Sequence, residues 1–430
     1  MANPPLGVRR PAVCAILWIL VVLAASPAMG QTVLEYWSPW SGIWQEMQEQ
    51  IVAEFNAAHP GIEVRYVYVP ADAYIQRMIL APTPPDVMAV WGFRALELAP
   101  QGVLMPLDAW MERDLNTDEF YPAALRQFRW NGKTWAAAYG AAGNALIYNM
   151  QLFDEAGIGQ PPATFDDVKD VARKITRVEA DGTVRRMGYL PLHAMWGGVL
   201  NFSYLFGGTY YDEETQSLTI NHPNNLSAIT WLEEFIGELG GQSVVDGFYA
   251  AHTGQQPFLT GSLGMQLSHS WFMSEIYKLA PDLQYGVSDA PLFPGPGPDR
   301  GPLLGSDSLV IPSRAPHPEE AWTFLRWMMT EGQRRWAEIQ GIHSTWILGA
   351  PQWETPVPPG AFDVYTRAAG MARPVPPIPV ADYLMTRLNA HVGAMLRGES
   401  WPQKVLEDVT VEVQARLDEI LATVDQRNGN

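Results

Sequence analysis

Between Thr32 and Trp91 a strand pattern alternates with a helix pattern, and this alternation restricts the possible folds more than any other feature. Thr32 to Trp37 reads as a short strand. Ser38 and Pro39 supply a capping residue and a proline tolerated in a first helical turn, so a helix is expected to begin there. Trp44, Met47, Ile51, Phe55 and Ala58 recur at helical spacing and so share one stripe. His59-Pro60-Gly61 ends the helix, and Ile62, Val64, Tyr66 and Tyr68 alternate as in a second strand. A helix over 73–80 and a strand over 86–91 repeat the pattern. Such units require parallel strands joined by right-handed crossovers, which makes the class α/β. In open α/β sheets ligands bind beyond the carboxyl ends of the strands, and the first and third strands end at Trp37 and Trp91.

Farther along, Asn131-Gly132 marks a hairpin turn, Ala145 to Tyr148 a strand, and Pro161-Pro162 with Thr164 the start of a helix over 165–176. Helices are expected over 318–329 and 332–340, and Val405, Val409, Val413, Leu417 and Ile420 place another over 403–424 before a polar end. Phe293 to Pro298 is the strongest loop signal, and there is no internal repeat.

Composition narrows the function. With 28 Lys and Arg against 46 Asp and Glu, the net charge is -18, which repels phosphate backbones and makes nucleic acid an unexpected partner. Arg9 and Arg10 precede an apolar run from Ala12 to Ala25 and small residues through Gly30, the pattern of a cleavable secretory signal over 1–30. That run is shorter than the roughly 20 residues a spanning helix needs. The single cysteine, Cys14, lies inside it, so cleavage leaves no thiol for a disulfide or a zinc site. No nucleophile elbow, His-Glu-x-x-His, P-loop or dinucleotide glycine motif occurs, and no histidines are spaced for a helical metal site. No catalytic residue, metal or cofactor is therefore assigned.

The positive signal is aromatic. Of 17 tryptophans, Trp44, Trp110, Trp231, Trp322, Trp327 and Trp336 lie on expected helices and are assigned to packing. Trp37, Trp91 and Trp271 sit beside Ser or Gly, the first two at strand ends, and are assigned to ligand contact, while Trp40, Trp196 and Trp346 stay open between contact and core. His269 is read as a structural hydrogen-bonding residue. Flat indole faces suit the C–H faces of sugar rings, whose hydroxyls need polar partners, so saccharide is the ligand class. Acidic pairs such as Asp166-Asp167 and Glu233-Glu234 point in different directions on a helix and read as solvated faces.

Tyr36-Trp37-Ser38, with Phe55-Asn56 and His59-Pro60-Gly61-Ile62-Glu63-Val64, resembles the opening of the extracellular solute-binding proteins of bacterial ABC importers, in the carbohydrate-binding, maltose-binding-protein-like class. Pro85-Asp86-Val87, Gln101-Gly102-Val103-Leu104, Asn131-Gly132-Lys133, Tyr148-Asn149, Phe206-Gly207-Gly208, Trp271, Tyr285-Gly286-Val287 and Ile311-Pro312 to Trp322 follow in that family's order. The resemblance implies a two-lobed α/β periplasmic-binding-protein fold of type II with a hinge, crossing at 142–146 and 303–307. It puts residues 31–142 and 308–350 in one lobe and 143–307 and 351–430 in the other. Trp37 and Ser38 fall on the family's first binding loop, Trp91, Phe93 and Arg94 on the loop after its third strand, and Trp271 on a sugar-stacking aromatic. Asp72, Gly305, Asp307, Trp346 and Arg373 fall near contact segments; Asp72 and Arg94 read equally well as surface charge. The loop Ser38 to Ser41 lacks the charged residues of maltose-binding protein, which leaves the sugar open.

The implied function is reversible capture of a mono- or oligosaccharide and its delivery to ABC transporter permease subunits, by a monomer outside the cytoplasm. Two readings compete. A secreted glycosidase needs two carboxylates across a cleft, and a same-fold protein for glycerol phosphate, a polyamine or a metal needs charged contacts.

Overall fold

The strand pattern seen in the sequence folds into two separate five-stranded sheets in the computed structural model. The structure describes residues 31–428 apart from 71–72, 142, 193–196, 253–255, 294–299, 342–343, 348–352 and 354–355. The expected leader, Asp72 and Trp196 lie outside the described residues. The sheet strands are β1 (Thr32–Ser38), β2 (Ile62–Tyr68), β3 (Val87–Trp91), β4 (Ala137–Ala138), β5 (Asn144–Asn149), β6 (Arg177–Val178), β7 (Val184–Tyr189), β8 (Leu263–His269), β9 (Tyr285–Ser288) and β10 (Asp307–Val310).

The first sheet has the order β2-β1-β3-β10-β4. β1 runs parallel to β2 and β3, with Tyr36 opposite Tyr66 and Val87, as crossover helices require. β10 enters antiparallel between β3 and β4, setting Asp307 opposite Trp91. Successive side chains of β1 point to opposite faces. Tyr36 joins the core formed with Phe55, Phe324, Trp322 and Trp336, whereas Trp37 joins the one formed with Val69, Tyr74 and Met78.

The second sheet has the order β9-β5-β8-β7-β6, with β5 antiparallel to both β8 and β9 and β8 parallel to β7. Its principal core collects Leu146, Phe165, Phe202, Trp231 and Met265 with Leu388 and Val409 from the two C-terminal helices, Ala381–Leu396 and Pro402–Asn428. The chain leaves the first sheet after Ala138 and enters the second at Asn144, and it returns to the first at Asp307 through residues 301–306. A third stretch lies against the second of these passages: the Leu304 amide donates to the Arg373 carbonyl at 2.7 Å, and the Arg373 amide donates to the Pro302 carbonyl at 2.8 Å.

The first helix covers Ile43–Ala58, and its N-cap is Gly42 at φ 60°, so the start expected at Ser38 is corrected. Ser38 is the last residue of β1, and its hydroxyl accepts from the Trp40 amide at 3.4 Å, holding a turn instead of a helix end. The helix expected over 318–329 ends at Trp327 and continues as a π turn over Met328–Gly332. The helical tryptophans assigned to packing all lie against a core, with Trp231, Trp322 and Trp336 buried and Trp44, Trp110 and Trp327 partly so. Among the described residues no helix is long and apolar enough to cross a membrane, and no group of three potential metal-ligating side chains occurs.

Candidate ligand crevice

β1 and β3 are parallel neighbours, so their carboxyl ends deliver Trp40 and Trp91 to the same edge of the sheet. The two indoles meet edge to face with centroids 5.9 Å apart. Trp91 also meets Tyr74 edge to face at 6.1 Å and lies parallel to Phe93 at 6.3 Å. Trp40 is held in place by polar bonds: its indole N–H donates to the Tyr139 hydroxyl at 3.2 Å, and its carbonyl accepts from the Tyr66 hydroxyl at 2.7 Å. The Tyr139 hydroxyl in turn accepts from Gln48 Nε2 at 3.4 Å, and Gln48 Oε1 accepts from Tyr36 at 2.9 Å.

Glycine at position 92 lets the passage between sheets come close. The Gly92 amide donates to the Ser306 carbonyl at 3.1 Å, and a Cβ there would stand 2.6 Å from that oxygen. Gln127 Nε2 donates to Ser306 Oγ at 3.0 Å, fixing the same segment. Gly305 is buried in it. Asp307 follows at the start of β10, and loss of water around its carboxyl pushes its pKa up to about 7.

The second sheet answers from β8. Trp271, two residues past its end, packs against both the Trp322–Trp336 core of the first sheet and the Ile147–Phe272 core of the second. It stacks on His269 at 6.5 Å. Asn144 stands opposite His269 in register, and its buried side-chain amide has no hydrogen-bond partner among the described residues. The same holds for the buried hydroxyl of Ser270. Leaving such groups unpaired costs about 1–3 kcal/mol each, which a polar ligand or water recovers. Phe93 crosses in the opposite sense to Trp271 and packs against the second sheet's core. Beside it a cavity of about 540 Å³ lies between Gly197, Gly198, Met385 and Asn389, a volume in the range of small-molecule sites.

The remaining sequence-predicted residues sit apart from this cluster. Trp37 is 8% exposed, with its N–H on Glu35 at 3.0 Å and the Arg77 guanidinium 5.5 Å above its ring, so the fold itself occupies both. The Trp346 indole donates to Glu119 at 3.0 Å and packs on the first core. Arg94 lies 3.5 Å from Glu97 and 3.8 Å from Asp382 of the helix Ala381–Leu396. Arg373 belongs to a different cavity, described below. Tyr74, Tyr139, Asn144 and Ser270 were not singled out from the sequence; only Tyr139, at the end of a strand-like stretch after the hairpin, carried a local signal.

Comparison with known proteins agrees with this architecture. The model of the family described as bacterial extracellular solute-binding protein matches residues 41–335. A Brucella abortus binding protein is 26% identical over 412 residues, covering 93% of this chain and 96% of that one. An arabinooligosaccharide-binding protein of Bacillus subtilis is 24% identical over 336 residues, 74% of each chain. The solved structure of CpMnBP1 with mannotriose bound superposes with a TM-score of 0.76 at 24% identity, over 89% of this chain and 100% of that one, a likeness of fold.

Proposed function

The chain belongs to the bacterial extracellular solute-binding protein family, and from that premise we propose that it captures a mono- or oligosaccharide between two lobes and releases it unaltered to the permease of an ABC transporter. The lobes are residues 31–142 with 308–350 and residues 143–307 with 351–430, and residues 1–30 act as a cleaved export signal for a monomer working outside the cytoplasm. The observation that carries the reading is the position of Trp271, which rises from the second sheet and packs on the first beside the strand ends that bear Trp40 and Trp91. Aromatic faces from two hinged halves, with the buried Asn144 amide and Ser270 hydroxyl unpaired among the described residues, suit a ligand with C–H faces and many hydroxyls.

Trp40, Trp91, Phe93 and Trp271 stack on the ligand, while Asn144, Ser270, Asp307 and the backbone at Ser38 and Gly305 take its hydroxyls. Asp72 and Arg94 are assigned to ligand contact through their place in the family pattern and Trp196 as an aromatic face, whereas Trp37 and Trp346 brace the surrounding structure. The sugars named for the arabinooligosaccharide-binding and mannotriose-bound relatives make pentose and hexose oligosaccharides the first to test. Because closure brings both sets of contacts to one guest, the ligand shifts the open–closed equilibrium by its preference for the closed form.

The test is a thermal-shift screen of the mature chain across arabino-, manno- and malto-oligosaccharides, monosaccharides, glycerol phosphate and polyamines, with product analysis of every hit. A ligand specific for the native state raises the melting temperature. A saccharide hit recovered intact supports the reading; released reducing sugar, or stabilisation by polyamine or glycerol phosphate alone, overturns it.

A further inference from the structure

The stretch holding Arg373 borders a second cavity, of about 400 Å³, whose lining includes Arg126, Arg300, Arg373, Tyr204, Tyr211 and Glu213. It shares no lining residue with the aromatic crevice. Among the described lining residues, three guanidiniums stand with one carboxylate, the reverse of the balance of a chain whose net charge is -18. They also arrive from both halves of the molecule. Arg126 ends the helix Pro122–Arg126, whose Ala123 and Ala124 pack in the Trp37 core, whereas Tyr204 belongs to the core of the second sheet.

Neither Arg126 nor Arg373 has a carboxylate in ion-pairing reach among the described residues. Arg126 is exposed and makes no hydrogen bond there. Arg373 donates to the Gly208 carbonyl, and its guanidinium carbon lies 4.1 Å from the Tyr204 ring centroid, so a carbonyl and a ring face fix its orientation without neutralising it. Arg300 donates to the Phe293 carbonyl. The positive field is felt nearby: His222 titrates lower than usual, first through burial and then through the charge of Arg373.

We propose that this cavity is a second binding site, separate from the saccharide crevice, that takes a small oxyanion, a phosphate or carboxylate group, between Arg126, Arg300 and Arg373. Guanidinium forks match the oxygen geometry of both groups, and the phenol hydroxyls of Tyr204 and Tyr211 stand in the same lining to donate further. Met371, Pro374, Pro376 and Pro377 also line the cavity, and the cations exclude amines.

Isothermal titration of the mature protein with sodium phosphate, and separately with sodium succinate, at constant ionic strength in chloride tests the site and distinguishes the two oxyanion sources. The expected result is saturable binding of at least one of them, weakened roughly tenfold or more by Arg126→Glu and weakened by added salt. The Arg126 side chain is exposed and unbonded among the described residues, so its replacement leaves the fold in place, and any saccharide hit binds the variant with unchanged affinity. Phosphate also stabilises proteins by exclusion from their surface, an effect that is unsaturable and identical in the variant. Absence of saturable binding, or equal affinity in wild type and Arg126→Glu, overturns the proposal.

Discussion

Asp307 is the residue whose chemistry depends most on the crevice. Its carboxyl titrates at about 7 because water is scarce around it, so between about pH 4 and that value the folded chain holds a proton that the unfolded chain has lost. The sign follows: the stabilising contribution is complete below about pH 4 and is lost as the pH rises through about 7. Asp307→Asn keeps the shape without the charge. It is expected to raise stability at pH 8 by on the order of 2 kcal/mol and to have little effect at pH 4, read as melting temperatures of both proteins across that range. Equal curves at both extremes would show that the carboxylate is adequately solvated. Trp271 offers the complementary test. Replacing it with alanine removes a stacking face, and the loss expected for a central aromatic anchor is about 2 kcal/mol, roughly 30-fold in the dissociation constant of the saccharide hit measured by calorimetry.

Individual elements carry their own stability signatures. The helix Phe165–Ile175 opens with a capping box in which Thr164 Oγ1 accepts from the Asp167 amide at 3.2 Å and Asp167 accepts from the Thr164 amide at 3.1 Å. Thr164→Ala is expected to cost about 1 kcal/mol in denaturant unfolding. The same helix presses on β7 so closely that a Cβ on Gly188 would stand 2.3 Å from the Ala172 carbonyl oxygen, backbone that can give way only by moving the helix. Gly188→Ala should therefore cost more than the cap variant, about 3 kcal/mol or above, in the same measurement. These elements also show what sequence can convey. β1, β2 and β3 lie within a residue or so of their expected positions because period-two and helical spacing are local properties. The start of the first helix was misplaced because Ser38 looks the same as a helix cap or as a strand end. Sequence assigns Trp37 to ligand contact and leaves Trp40 open, because the packing of Trp37 against the helix Tyr74–Leu80 is a tertiary fact. The insertion of β10 between β3 and β4, which sets Asp307 opposite Trp91, joins segments more than two hundred residues apart and has no local trace.

At the scale of the whole molecule, Phe93 and Trp271 each grow from one sheet and pack on the core of the other, so these two side chains make apolar contact between the halves. Such contact favours the closed arrangement in the free protein and reduces the work a ligand must do. Removing the Phe93 ring forfeits about 2 kcal/mol of burial on closing, which lowers the closed population before a ligand arrives. Apparent affinity falls in proportion to that population. A variant that merely loses a direct ligand contact would also bind less tightly, so affinity alone does not separate the two effects. Small-angle scattering does. Phe93→Ala is expected to have a larger radius of gyration than wild type without ligand, and saturating saccharide should bring both to the same value. An unchanged ligand-free radius with weakened binding would assign Phe93 to ligand contact and leave closure to the ligand.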